Sequence, residues 1–288
     1  MRYVLAVLVV CTGPLSGQQQ PSPWGLVARA LGKSGAPPGE TYRATFPRSD
    51  LRVRVGDVAI APALALTSWA AFAGSADSAD VMGDLVLTER EVPIVVSGLL
   101  GAGFDVTAIH HHLLGESPRV FYLHYHGRGT AVPLAARLRE VLSRTATPLA
   151  EPAVAPRPAP VTLDTAALFA ALGAHGRLAG NVAQIGVPTS GSAVVLDGRP
   201  VPGALGVNTA INIQSVTARR AVTTGDFVLQ AARVQPTVRA LESAGIRVTA
   251  IHSHLVGETP PAYFVHFWGD AEPLALARGL KTAIDSAR

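Results

Sequence analysis

Cysteine is almost absent from this chain, with Cys11 standing alone. One thiol close to the N-terminus excludes an internal disulfide framework and any zinc or iron–sulfur site built on thiolates. Lysine is nearly as scarce, at Lys33 and Lys281, so the net charge of +4 and pI near 9.6 rest on scattered arginines rather than on a basic patch. Nucleic acid is therefore not an expected partner. Beyond the N-terminal segment no stretch approaches the ~20 apolar residues that a membrane-spanning helix requires. A phosphate-cradling Gly-rich loop, a His-Glu-x-x-His helix and a Gly-x-Ser-x-Gly elbow are all missing. Charged residues make up only 15%, but 48% are hydrophobic, which excludes general disorder. At 288 residues the chain has room for two domains with separate cores.

The N-terminus carries one charge at Arg2, an apolar run over 4–10, then small residues before Gln18. This order marks residues 1–18 as a secretory signal peptide and predicts export to the periplasm, cell envelope or medium. Lipid attachment at Cys11 is a weaker alternative, because Val10 is a poor residue immediately before a lipoprotein cleavage site.

What the chain does have is a duplication. Residues 83–127 return at 225–269 with a constant offset of 142, and 21 of the 45 positions are identical. The best-preserved part, TAIHHHLLGESPRVFYLHYHG at 107–127, reappears as TAIHSHLVGETPPAYFVHFWG at 249–269. Weaker matches extend the repeat to two domains, 22–146 and 161–288, joined by a linker over 147–160 whose five prolines favour an extended chain. Each copy is expected to open with a helix (24–31; 165–172). Strands then follow around 42–46, 51–60, 64–72 and 82–87, with a helix over 89–100 that ends at Gly101 and Gly103. Two strands, 106–114 and 119–125, are expected to form a hairpin across 115–118, followed by a helix over 131–144. Such an order implies an α+β fold with mainly antiparallel sheet.

Residues two apart on a strand share a face, so His110 and His112 can converge while His111 cannot. His111 is Ser253 in the second copy, whereas the flanking histidines persist as His252 and His254. On the neighbouring strand His124 and His126 fall on the same face if Leu123 and Tyr125 point to the core. Neutral imidazole is the commonest side-chain ligand for zinc and copper, and three histidines with one carboxylate make a typical shell. Glu116 is the expected carboxylate, as fourth ligand or as general base. The second copy offers His252, His254, Glu258 and His266 but has Trp268 in place of His126, which ranks the first copy as the better-furnished site. His175 has no counterpart and is expected at the surface.

The segments Phe46-Pro-Arg-Ser-Asp-Leu51, Ser68-Trp-Ala-Ala-Phe72, Met82-Gly-Asp-Leu-Val-Leu87, Gly115-Glu-Ser-Pro-Arg119 and His124-x-His126-Gly127 closely resemble the LppY/LpqO family, also called DUF1259. The likeness covers nearly the whole chain after the N-terminal segment. It implies an exported bacterial protein with this two-copy arrangement, and it carries no activity. Three functions fit: binding of a divalent transition metal, zinc or copper; a metal-dependent envelope hydrolase with Glu116 as base; and a metal-free module for a cell-wall ligand.

Overall fold

The computed structural model describes residues 24–34, 36, 39–150, 163–189 and 193–288. The signal-peptide segment and most of the linker lie outside the described residues.

The first half runs α1 (Gly25–Ala30), β1 (Thr41–Pro47), the short strands β2 (Arg54–Val55) and β3 (Val58–Ala59), α2 (Pro62–Ala65), β4 (Thr67–Gly74), β5 (Ala79–Thr88), α3 (Glu91–Gly101), β6 (Asp105–His110), β7 (Glu116–Ser117), β8 (Val120–Gly129) and α4 (Ala131–Leu142). The second runs α5 (Thr165–Leu172), β9 (Gly176–Ala179), β10 (Val182–Val187), β11 (Val195–Leu196), β12 (Arg199–Pro200), a 3₁₀ turn at Gly203–Leu205, β13 (Thr209–Thr217), β14 (Arg220–Leu229), α6 (Ala231–Ser243), β15 (Arg247–His252), β16 (Tyr263–Ala271) and α7 (Pro273–Ser286). The main sheets are ordered β1-β4-β5-β8-β6 and β15-β16-β14-β13-β10-β9, and the strand pairings are antiparallel throughout. This is the expected α+β architecture, and the two sheets match strand for strand except that β9 has no partner in the first half.

Each sheet is buried on both faces, for different reasons. Odd-numbered side chains of β5 and β8, including Leu85, Leu87, Leu123 and Tyr125, pack with Val95, Leu99, Leu134 and Leu138 of α3 and α4. Even-numbered ones turn to the other half: Val86, Val120 and Tyr122 share a core with Val182, Val222 and Trp268, and Met82 shares one with Val228 and Phe264. The result is four layers, with helices outside and two sheets face to face within. A strand covered on both sides has no reason to alternate in hydrophobicity, and β5 and β8 are buried almost end to end. Burying a Val, Leu or Phe side chain contributes roughly 1.5–3 kcal/mol, so the shared cores make the halves one packed body.

Polar ties reinforce the seam. Gln214 accepts from Ala61 N and donates to Ala59 O, both at 2.8 Å, while Asn212 donates to Leu64 O at 2.9 Å. Arg220 forks onto Asp57 and Asp270. Thr107 Oγ1 donates to His254 O at 2.6 Å, and its counterpart Thr249 Oγ1 to His112 O at 2.9 Å. That reciprocal exchange brings the two His-x-His segments side by side.

Three local expectations need correction. The segment 51–60 is not one strand but the minute β2–β3 pair turning at Gly56 (φ 58). Residues 62–65 form a helical turn with Pro62 at its start, and the strand begins only at Thr67. The β6–β8 connection is not a tight hairpin: β6 stops at His110, and 111–119 carry β7, which pairs with β2. His112 thus lies beyond the strand.

Candidate metal centre

The central feature is a cluster of six imidazoles, three from each half. His110 ends β6, His124 lies on β8, and His112 follows two residues after His110; His252, His266 and His254 are their counterparts on β15, β16 and the following loop. His110 stacks on His252 with ring centroids 3.7 Å apart across the seam, flanked by His124 at 4.8 Å and His266 at 5.0 Å. His112 stacks against His266 at 3.9 Å, and His124 approaches His254 at 3.7 Å. The two copies therefore do not hold separate sites of different quality. Both contribute to one cluster, with His254 but not its counterpart His112 among the converging donor groups.

Two carboxylates join it, Asp84 on β5 and Asp226 on β14. Four groups of donors each have their ligand atoms within 4.8 Å of one another: His110, His252 and His266; His124, His252 and His254; Asp84, His110 and His124; and Asp226, His254 and His266. Donors around a tetrahedral zinc ion stand about 3.4 Å apart, so closing around an ion requires side-chain shifts on the order of an ångström.

The backbone sets the ring orientations. His124 Nδ1 lies 3.0 Å from Gly83 O and His266 Nδ1 lies 2.9 Å from Gly225 O, and both Gly83 and Gly225 sit where a side chain would strike the adjoining strand. His254 Nδ1 faces Gly206 O at 3.3 Å and His252 Nδ1 faces Ser253 O at 3.1 Å. With the proton on Nδ1 donated to these carbonyls, Nε2 carries the lone pair, the arrangement that fixes a metal-binding tautomer. All six Nε2 atoms are buried and lack a hydrogen-bond partner. His112 Nε2 lies 3.4 Å from Asp84 Oδ2, too poorly placed to count as bonded.

Electrostatics keeps most rings neutral. Burial, then the neighbouring imidazoles, drives His110, His112 and His254 far below the ordinary histidine value. Burial also lowers His124 to about 3, and burial with His266 lowers His252 to about 4. His266 is the exception. Burial opposes its charge, but Asp226 Oδ1 at 2.9 Å outweighs that and raises it, while Asp226 is drawn below the usual carboxylate range. Asp84 is pushed up to about 8 by burial and by the charge of Asp226.

Not every residue expected at the site lies in the histidine cluster. Glu116 is buried in the turn, where Oε1 accepts from Val120 N at 3.4 Å, and Glu258 accepts from Ala262 N at 3.0 Å. Each ties down its own loop four residues on, and neither falls among the converging donor groups. His126 shares the face of His124 but sits two residues farther along β8, where Nε2 meets Asp80 Oδ1 at 3.0 Å. Its counterpart Trp268 is a core residue. His111 packs on Phe121 and His175 is exposed. The missed members are Asp84 and Asp226, together with Tyr122, whose ring stacks on His112 at 3.6 Å. The pair Gly83-Asp84 and Gly225-Asp226 opens the repeated block in both copies, and that identity was the available signal.

A family described as a Domain of Unknown Function (DUF1259) matches residues 26–144 and again 166–286. The chain belongs to the DUF1259 family. In this member the two family domains meet at their histidines. No curated protein matches the chain. A solved structure titled "Structure of crystal form I of TP0453" aligns over 92% of this chain and 98% of its own length at 15% identity, with a TM-score of 0.19.

Proposed function

We propose that this is an exported metal-binding protein of the LppY/LpqO type that holds a divalent transition metal at the seam between its two DUF1259 copies. One observation carries the reading: six buried Nε2 atoms lack a partner, and five of the six rings fall in groups of converging donor atoms. An orphaned buried polar group costs about 1–3 kcal/mol, and a fold does not gather six of them without a ligand to offset the loss. That cost is the argument against the metal-free binding module. Imidazole with carboxylate and no thiolate suits zinc or copper(II). Export rests on the charge and hydropathy pattern of residues 1–18.

The experiment is elemental analysis of untagged protein. At least one equivalent of metal is expected in the wild type, and none in a His110→Ala/His252→Ala variant. If both lack metal and melt identically with and without added zinc or copper, the reading fails.

A metal-dependent hydrolase is the second reading, favoured by a cleft that reaches Asp84, His112 and Asp226. Glu116 is spent on the Val120 amide and does not serve as its base. Asp84, which lines that cleft and whose Oδ1 is free, is the carboxylate placed to exchange a proton there.

A further inference from the structure

Beside the cluster the two halves part to leave a cleft of about 820 Å³, a size suited to a small organic ligand. Its floor reaches Asp84, His112 and Asp226, and its walls come from both copies. Two arginines face into it. Arg43, on β1, lies over Trp69 with Cζ 3.7 Å from the ring centre, and among the described residues its guanidinium has no hydrogen bond or ion pair. Arg177, on β9, likewise has none. Other arginines of the seam are spent: Arg220 is forked by two aspartates, and Arg128 and Arg199 are tied to Asp80.

The cleft also holds unpaired buried polar atoms. Thr224, 1% exposed, has a hydroxyl without a partner. Gln184 donates to Ala63 O at 2.8 Å, which leaves its Oε1 buried and free, and Asp84 Oδ1 is free as well. Like charges from separate halves are costly to bring to one concave surface. Arg43 and Arg177 are both open to solvent in the cleft. An arginine pinned on an indole with its donors open is organised for a planar or tetrahedral oxyanion.

We propose that this cleft binds a small organic anion, a carboxylic acid or a phosphate monoester. Arg43 and Arg177 hold the oxyanion, and the remaining polar atoms of the ligand meet Thr224, Gln184 and the Asp84 edge of the histidine cluster. The subsite belongs to the arginines and needs no ion in the cluster, so it stands or falls separately from the metal reading.

The test is calorimetric titration of the full chain at low ionic strength with inorganic phosphate and with malonate, on chelator-treated and on metal-loaded protein. Saturable binding of at least one probe is expected in both preparations. Affinity should weaken at least tenfold in Arg43→Gln and in Arg177→Gln, and less in Arg43→Lys, which keeps the charge but loses the fork. Arg119→Gln, at an exposed position, should bind like wild type. Preference for phosphate assigns the site to phosphate esters, and preference for malonate to carboxylic acids. Absence of saturable binding with both probes overturns the proposal, as does unchanged affinity in both glutamine variants. Binding that requires added metal overturns the assignment to the arginines.

Discussion

Replacing His110 by leucine in metal-free protein should make the protein more stable. His110 is 8% exposed, and neither ring nitrogen has a hydrogen-bond partner. Leucine removes both orphaned atoms, each costing about 1–3 kcal/mol when buried unpaired. Against this stands the loss of stacking on His252 at 3.7 Å, about 0.5–1.5 kcal/mol for an aromatic pair, and an imperfect fit. The balance is a gain of roughly 1–3 kcal/mol, or about 2–10 °C in melting temperature for a chain of this size. Saturating metal should reverse the order: wild type gains about 4.1 kcal/mol at a thousandfold excess over Kd, while the variant gains little. Thermal unfolding of both proteins, with chelator and with zinc, reads all four values. If His110→Leu loses more than about 1 kcal/mol in chelator, the histidines are ordinary packing residues and the reasoning is wrong.

Acid should destabilise the metal-free protein. His124 and His252 titrate near 3 and 4 when folded but near 6.5 when unfolded, so their contribution is complete above pH 6.5 and falls by up to about 1.4 kcal/mol per pH unit each as the solution is acidified toward pH 4. His110, His112 and His254 shift in the same sense. Asp84, raised to about 8, opposes them, since its contribution is complete below its unfolded value and is lost as pH rises through 8; a melting temperature that rises from pH 7 to pH 5 would contradict the balance. Arg48→Met should cost about 3–5 kcal/mol, because Arg48 is fully buried, bonds Val86 O and pairs with Asp50 and Glu91; chemical denaturation measures it. Gly225→Ala should disrupt both fold and metal uptake, since its Cβ meets Ala210 O on β13, whereas Gly186→Ala, which meets nothing, should be tolerated.

Much of this was legible in the residues. The helix over 89–100 was marked by apolar spacing and a glycine stop, and α3 spans Glu91–Gly101; the helix expected over 165–172 is α5, capped by Asp164, whose side chain accepts from Ala167 N, and by Gly173 with φ 64. The common face of His110 and His124 was legible from strand parity, whereas His112 reaches the cluster from beyond the end of β6. The joint nature of the site was not legible, because comparison of two copies reveals what each keeps and is silent on whether the copies touch. Asp84 was overlooked because a lone aspartate inside Gly-Asp-Leu-Val-Leu looks like a residue of a solvated strand edge, while β5 is the middle of a sheet covered on both sides. Glu116 attracted attention through its neighbours Gly115 and Pro118, yet those residues shape the turn that the carboxylate itself holds. Arg48, singled out by the Phe-Pro-Arg-Ser-Asp-Leu segment, proves to anchor β1 to the start of α3.

The crossed threonine bonds, Thr107 to His254 and Thr249 to His112, have the form of an isologous dimer contact, in which each partner gives what it receives. A polypeptide carrying a single copy would have to self-associate to assemble the same six imidazoles, and its metal affinity would then fall with dilution. Joining the copies in one chain replaces that concentration dependence with a fixed local concentration set by the tether. It also frees the two halves to diverge, as Arg43 and the unmatched strand β9 already do on one flank of an otherwise even-handed centre.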